Sequence, residues 1–433
     1  MPTYRFSYDG TSVAKTLDDV DSVVGCMYVG SLLFRSALQS FAMNAICRLF
    51  ATDAKETGLS MRVTRVQLKN WKNFQDVDVT LHSRMFFVGV NAAGKSNFLD
   101  AFRFIRDVVE HGVGKAVQGR GGLTKLRCLY ARQEPDIRLV FSLDGVWEYE
   151  LELTNSKQFP VVIKKECVRK NGMIILKRPD EADEKDMQRR TQTALEQVSA
   201  NQDFRDIANF FRSIEYRHIL PQAVRDPQGF SAVPVMNDPY GRDIVHQIWA
   251  TPHRTREARL RRIDEALKIA VPTLTELKVE MDENRGQPHL RAKFQHWRPN
   301  GAIQNESSFS DGTLRLIVLF WMLLEKGGPL LLEEPELSLN EEIVRQLPTL
   351  FARIIRGKQG RQVLISTHSY ALLDDPGIQP EELLKLEPGN GGTVICPPSD
   401  DGTKLMENGL SAAEVVLPEI RQGRMEQLSL LSL

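Results

Sequence analysis

The sequence predicts an α/β fold: a central, mostly parallel sheet entered twice by the chain, with an antiparallel β-subdomain and a helical lid inserted between the two passes, and no coiled coil. Three observations predict it. Near the start, a short apolar run meets a glycine loop and then a helix. Near the end, two more apolar runs each stop in a polar loop. Between them, residues 136–177 alternate apolar and polar, as half-exposed antiparallel strands do. Strands of a parallel sheet are covered on both faces and so read as unbroken apolar runs.

Arg84-Met85-Phe86-Phe87-Val88 is the first such run. Gly89-Val90-Asn91-Ala92-Ala93-Gly94-Lys95-Ser96 follows and fits G-x-x-x-x-G-K-[ST], a phosphate-binding loop. Residues 97–110 then place Phe98, Leu99, Phe102, Ile105, Val108 and Val109 at helical spacing. Backbone N–H groups from Gly89 to Ser96, including Asn91, Ala92, Ala93 and Gly94, would face phosphate oxygens, and the helix N-terminus adds its dipole. Lys95 would reach the β- and γ-phosphates, and the Ser96 hydroxyl would ligate Mg²⁺.

Three motifs lie far downstream. Phe309-Ser310-Asp311-Gly312-Thr313-Leu314-Arg315 opens an apolar helix; a serine there is also ordinary capping chemistry. A helix N-terminus of this kind can equally be offered to a phosphate held by another subunit. Leu330-Leu331-Leu332-Glu333-Glu334-Pro335-Glu336-Leu337-Ser338-Leu339-Asn340 reads as a buried strand ending in acids. Adjacent carboxylates in that position are costly without a cation, so Glu333 would hold Mg²⁺, directly or through water, and Glu334 would polarise the attacking water. Pro335 stops the strand. Val363-Leu364-Ile365-Ser366-Thr367-His368-Ser369 is another strand, whose His368 would touch the γ-phosphate.

Together these residues resemble the ABC-type ATPase head of the SMC, RecF and OLD (overcoming lysogenization defect) group, nearest to its stand-alone AAA-family ATPases of bacterial defence operons. The resemblance covers about residues 61–395 and extends to Trp71-Lys72-Asn73-Phe74, similar to the family's opening Asn-Phe turn. It implies a P-loop NTPase whose cofactors are ATP and Mg²⁺. Gly89 to Ser96 would be the Walker A loop, with Asn97 and Lys72 also at ATP, and Glu333 and Glu334 the Walker B acids. Lys95, Glu334 and His368 would be catalytic. Ser310, Asp311, Gly312, Thr313 and the D-loop Asn340 would reach the nucleotide of a second subunit. Gln133 is the candidate Q-loop ligand to the metal, although a glutamine there reads more readily as a surface residue. The sequence departs from transporter heads: Glu333 stands where they carry Asp, the signature is Ser-Asp-Gly-Thr, and the D-loop ends in Asn340.

Composition sets wider bounds. The chain has 433 residues and a formal net charge of +0, so it offers no chain-wide attraction to nucleic acid or anionic lipid. Cys26, Cys47, Cys128, Cys167 and Cys396 are scattered without a C-x-x-C pair, which speaks against a zinc site or disulfide framework and for a reducing cytoplasm. Residues 23–34 are apolar but too few to span a bilayer, so no membrane is expected. Residues 1–60 fall outside the family pattern and read either as an extension or as an amphipathic docking helix.

The division expected is 1–60 as extension, 61–135 as the first part of the head, 136–300 as β-subdomain and helical insertion, 301–395 as the second part, and 396–433 as a tail. Within the insertion, a charged stretch from residue 178 is expected to lead into helix to about residue 212. A further helix is expected over 242–269, two strands over 274–298, and a closing hairpin around 383–386 and 392–395. Arg254, Arg256, Arg259, Arg261 and Arg262 cluster on that second helix, either as a DNA-phosphate contact or as a solvated face. Lys115, Arg120, Lys125, Arg127 and Arg132 form a looser basic loop. The stretch after His368 is too short for the nuclease domain of OLD proteins, so an effector is expected on a separate chain.

Three functions follow as expectations: a homodimeric ATPase that gates a partner effector, such as a nuclease, in antiphage defence; a RecF-like DNA-repair or DNA-sensing ATPase; or a nucleotide-stabilised scaffold with negligible turnover.

Overall fold

A computed structural model describes residues 61–131, 135–230, 238–282, 286–295, 302–356 and 360–420. The expectations for residues 1–60, Arg132 and Gln133 lie outside them.

Two six-stranded sheets carry the fold. The antiparallel sheet runs in the order β2-β1-β4-β5-β6-β7, from Val63–Trp71 (β1), Phe74–Thr80 (β2), Ile137–Leu143 (β4), Trp147–Thr154 (β5), Val162–Lys170 (β6) and Met173–Arg178 (β7). The other runs β15-β14-β3-β13-β12-β8, from Arg84–Val88 (β3), Glu215–Arg217 (β8), Leu330–Glu333 (β12), Val363–Thr367 (β13), Leu383–Gly389 (β14) and Gly392–Cys396 (β15). Five of these are parallel and β15 closes the edge as an antiparallel hairpin. Strands β3 and β13 are buried at every position, as the unbroken apolar runs require. A small antiparallel sheet, β11-β10-β9, is built from Leu274–Asp282 (β9), Gln287–Phe294 (β10) and Ala302–Asn305 (β11).

Helix Lys95–His111 (α1) joins the two large sheets. Its ring Phe98 lies 4.8 Å from Phe87 of β3 and 6.2 Å from Phe74 of β2. Phe102, one turn on, meets Phe141 of β4 at 5.4 Å, and Phe141 meets Phe211 of helix Arg205–Arg212 (α2) at 5.5 Å. These rings prefer tilted and edge-on packing, which adds specificity to their area burial. The glycine loop is therefore anchored through α1 to both sheets.

Several expected elements differ. The helix expected after the charged stretch does end at Arg212, but it is short, Arg205–Arg212 (α2), and the stretch before it holds turns at Glu181–Lys185 and Met187–Thr191. Asp180 and Asp183 form a capping box, and the Asp183 carboxylate is taken up by Arg178 at 2.8 and 2.9 Å, so these short polar side chains favour local turns. The helix expected over 242–269 is two, Ile244–Ala250 and His253–Ala270 (α3), because Pro252 forces Thr251 into extended backbone. The tail after residue 396 carries helices Asp400–Glu407 and Ala412–Ile420. Helix Asp311–Leu324 (α4) is buried on nearly every side. Among the described residues no helix exceeds the 18 residues of α3, and none is long and apolar enough to cross a membrane.

Candidate active site

The polar loops sequence analysis singled out meet at one edge of the parallel sheet. Register makes this so: Glu333 of β12 lies opposite Ser366 of β13, and Thr367 opposite Val88 of β3. All three strands point the same way, so their carboxyl ends, and the loops that follow, share one rim.

The glycine loop is shaped by its backbone. Ala92 (φ 64°) and Gly94 (φ 101°) are left-handed, and Gly94 caps α1. A Cβ on Gly94 would sit 2.1 Å from Asn73 Nδ2, and one on Gly89 2.8 Å from the Leu386 carbonyl oxygen. The loop is clamped from outside. Asn73 donates to Thr393 Oγ1 (2.6 Å), Thr393 Oγ1 donates to the Ala93 carbonyl (2.9 Å), and Asn97 Nδ2 donates to Asn73 Oδ1 (2.8 Å). The Lys95 ammonium donates to the Gly89 and Val90 carbonyls at 2.8 and 3.2 Å. Burial lowers its pKa, opposed by the charges of Glu334, Glu336 and Glu333.

Ser96 Oγ donates to one oxygen of Glu333, and the Tyr216 hydroxyl of β8 donates to the other. Glu334 follows at φ 44°, a left-handed conformation that costs a non-glycine residue and concentrates at functional sites. Its N–H is held by the Ser366 carbonyl at 3.0 Å, its carbonyl accepts from Arg315 of α4 at 3.2 Å, and its carboxylate lies 3.0 Å from His368 Nδ1. Pro335 and the buried Glu336 come next. Thr367 donates to one Glu336 oxygen, while the other is buried without a partner, and burial raises the Glu336 pKa.

The signature segment caps α4: Ser310 Oγ accepts from the Thr313 N–H at 3.2 Å, and Arg225 holds Asp311. Gly312 is pressed against the D-loop, where a Cβ would meet the Ser338 carbonyl at 2.8 Å. Asn340 caps helix Glu341–Val344 through the Glu342 N–H. Lys72 shares a cleft of about 1250 Å³ with Ser96 and Asn97, but its ammonium is taken by Asp100 at 2.6 Å. Of the five clustered arginines, two do structural work. Arg256 stacks on Trp249 and donates to its carbonyl, and Arg259 lies over Trp321 beside Glu325. Arg254 and Arg261 are exposed.

A phosphate loop, an acid pair and a histidine on one parallel-sheet rim is the arrangement of a P-loop NTPase. A family model described as "AAA domain, putative AbiEii toxin, Type IV TA system" matches residues 84–374. The chain belongs to this family. It is a P-loop NTPase, built for nucleotide binding. No curated protein matches it. Among solved structures it is similar to an Smc head bound to the C-winged helix domain of ScpA, at 14% identity and TM-score 0.48, over 80% of this chain and 99% of that one. It is similar to the SMC head domain from Thermotoga maritima at 17% and 0.40, over 78% and 99%. At these values the likeness adds nothing to the strand order and the family match.

Tyr216, Glu336, Arg315 and Thr393 were not singled out as site residues from the sequence. Glu336 alone had a local signal there, as a third acid after a buried strand.

Proposed function

We propose that this chain binds ATP with Mg²⁺ and hydrolyses it, working as a dimer that gates a separate effector protein in antiphage defence. The observation that carries the reading is the meeting of Lys95, Ser96, Glu333, Glu334 and His368 at one rim. The donor set fits the metal. Ser96 and Glu333 offer two hard oxygens in contact, and no group of three or more His, Cys, Asp or Glu among the described residues could hold an ion alone. That suits Mg²⁺, which keeps several waters and is shared with phosphate oxygens. When bound, it supplies charge neutralisation across the β- and γ-phosphates.

The chain's own residues do the rest. Lys95 pairs with phosphate charge from within its loop. Glu334 orients and polarises the attacking water, its backbone fixed by Ser366 and Arg315. His368 holds the Glu334 carboxylate and senses the γ-phosphate. Ser310 to Thr313 complete the site of a second copy, because a helix N-terminus is a ready anion site. The D-loop packed on Gly312 supports this by tying that helix to the acid strand.

Steady-state ATP hydrolysis by the purified chain, with and without duplex DNA, tests the reading, with Glu334→Gln as the blank. A rate above the blank and indifferent to DNA is expected, with Glu334→Gln lowering turnover at least a hundredfold, on the order of one lost positioning group. DNA-stimulated turnover that falls with salt would favour a DNA-sensing ATPase. Turnover no higher than the blank would favour the scaffold.

A further inference from the structure

We propose that Tyr216 is a positioning residue for the metal-side carboxylate: its hydroxyl holds one oxygen of Glu333 so that the other is aimed at Ser96. The inference rests on the reading of Ser96 and Glu333 as the Mg²⁺ donors.

Tyr216 lies 117 residues before Glu333 in the chain, yet β8 pairs with β12 in parallel, bringing Tyr216 opposite Leu331, two residues short of Glu333. The side chain is buried and its hydroxyl donates to Glu333 Oε2, while Ser96 Oγ donates to Oε1. The two carboxylate oxygens thus have separate partners from separate elements. Glutamate has three side-chain torsions, and fixing them costs rotamer freedom. A buried donor on Oε2 fixes them before any ligand arrives, and leaves Oε1 as the outward donor atom.

The tyrosine is itself gripped. The Arg103 guanidinium lies 4.2 Å from its ring centroid and 3.6 Å from Asp100. Arg103, Asp100 and Ser96 all belong to α1. One helix therefore supplies the serine on Oε1 and the clamp behind the donor on Oε2.

The test uses the full chain, a non-hydrolysable ATP analogue and Mn²⁺ as a paramagnetic probe. Tyr216→Phe keeps the ring and the Arg103 stack and removes only the hydroxyl. Its affinity for Mn²⁺ in the presence of the analogue should fall roughly tenfold, the usual cost of losing a group that orients a metal ligand. Metal-free analogue binding should stay unchanged, which a merely structural role would not predict. In a Glu333→Asp background the carboxylate is one methylene shorter and should lose the tyrosine, so adding Tyr216→Phe should cost little more. Equal Mn²⁺ affinity in the unmodified chain and Tyr216→Phe, or fully additive losses in the double variant, would overturn the inference while leaving the ATPase reading intact. An unmodified chain that binds no Mn²⁺ with the analogue would overturn both.

Discussion

Glu336 shows how burial and function meet at one side chain. The residue is 7% exposed, and its carboxyl takes a hydrogen bond from Thr367 and keeps a second oxygen without a partner. Burial pushes its pKa up, and Thr367 and His368 only partly offset this. The folded state then holds a proton that the unfolded chain has lost, so stability falls as pH rises above the ordinary glutamate value of about 4.3. Glu336→Gln removes that dependence. Relative to the unmodified chain, the variant should gain stability as pH rises from 4 to 8, read from urea midpoints. A difference that does not move with pH would mean the carboxyl titrates in the fold as it does in the unfolded chain. Thr367 also accepts the Ser369 N–H at 3.0 Å, so this one acid ties both flanks of His368 to the acid-bearing turn.

The glycine loop and α1 act as one element. The loop is held by Asn73 and Thr393 and the helix by rings from both sheets. Gly94 is the joint between them, at φ 101° with no room for a Cβ. Gly94→Ala should cost roughly 1–2 kcal/mol in left-handed strain alone. The displaced Asn73 should abolish ATP binding, measurable by isothermal titration beside a thermal melt. Retained binding would mean the loop adapts and the clamp is dispensable. Helix α3 gives the opposite lesson. Its arginines look alike in sequence, yet Arg256 and Arg259 are committed to tryptophan rings and to a carbonyl or a carboxylate.

For the whole molecule, the proposal makes the site half of a shared one. The signature segment is pre-shaped by its own cap, by Arg225 and by the D-loop, which argues for a rigid surface ready to meet a second copy. Glu334→Gln should bind ATP without releasing it as ADP, and so accumulate as a dimer. Light scattering with ATP and Mg²⁺ should show twice the monomer mass for this variant, and the monomer mass when Ser310→Arg is added. A monomer with Glu334→Gln under saturating ATP would remove the dimer from the proposal.

The residues legible in sequence were those whose chemistry is local. The turn at 89–96 needs glycine at Gly94, β3, β12 and β13 need unbroken apolar runs, and Ser310 needs only its own third neighbour to cap a helix. Short-range sterics and burial on both faces leave such marks in a handful of adjacent letters. Tertiary structure alone decided the rest. Tyr216 reaches Glu333 only because β8 pairs with β12. Thr393 reaches the Ala93 carbonyl only because β15 closes the sheet edge beside Asn73, and Lys72, just past β1, is drawn to Asp100 of α1. Those contacts join residues tens to hundreds of positions apart, and a one-dimensional pattern carries no trace of a partner that only strand pairing brings near.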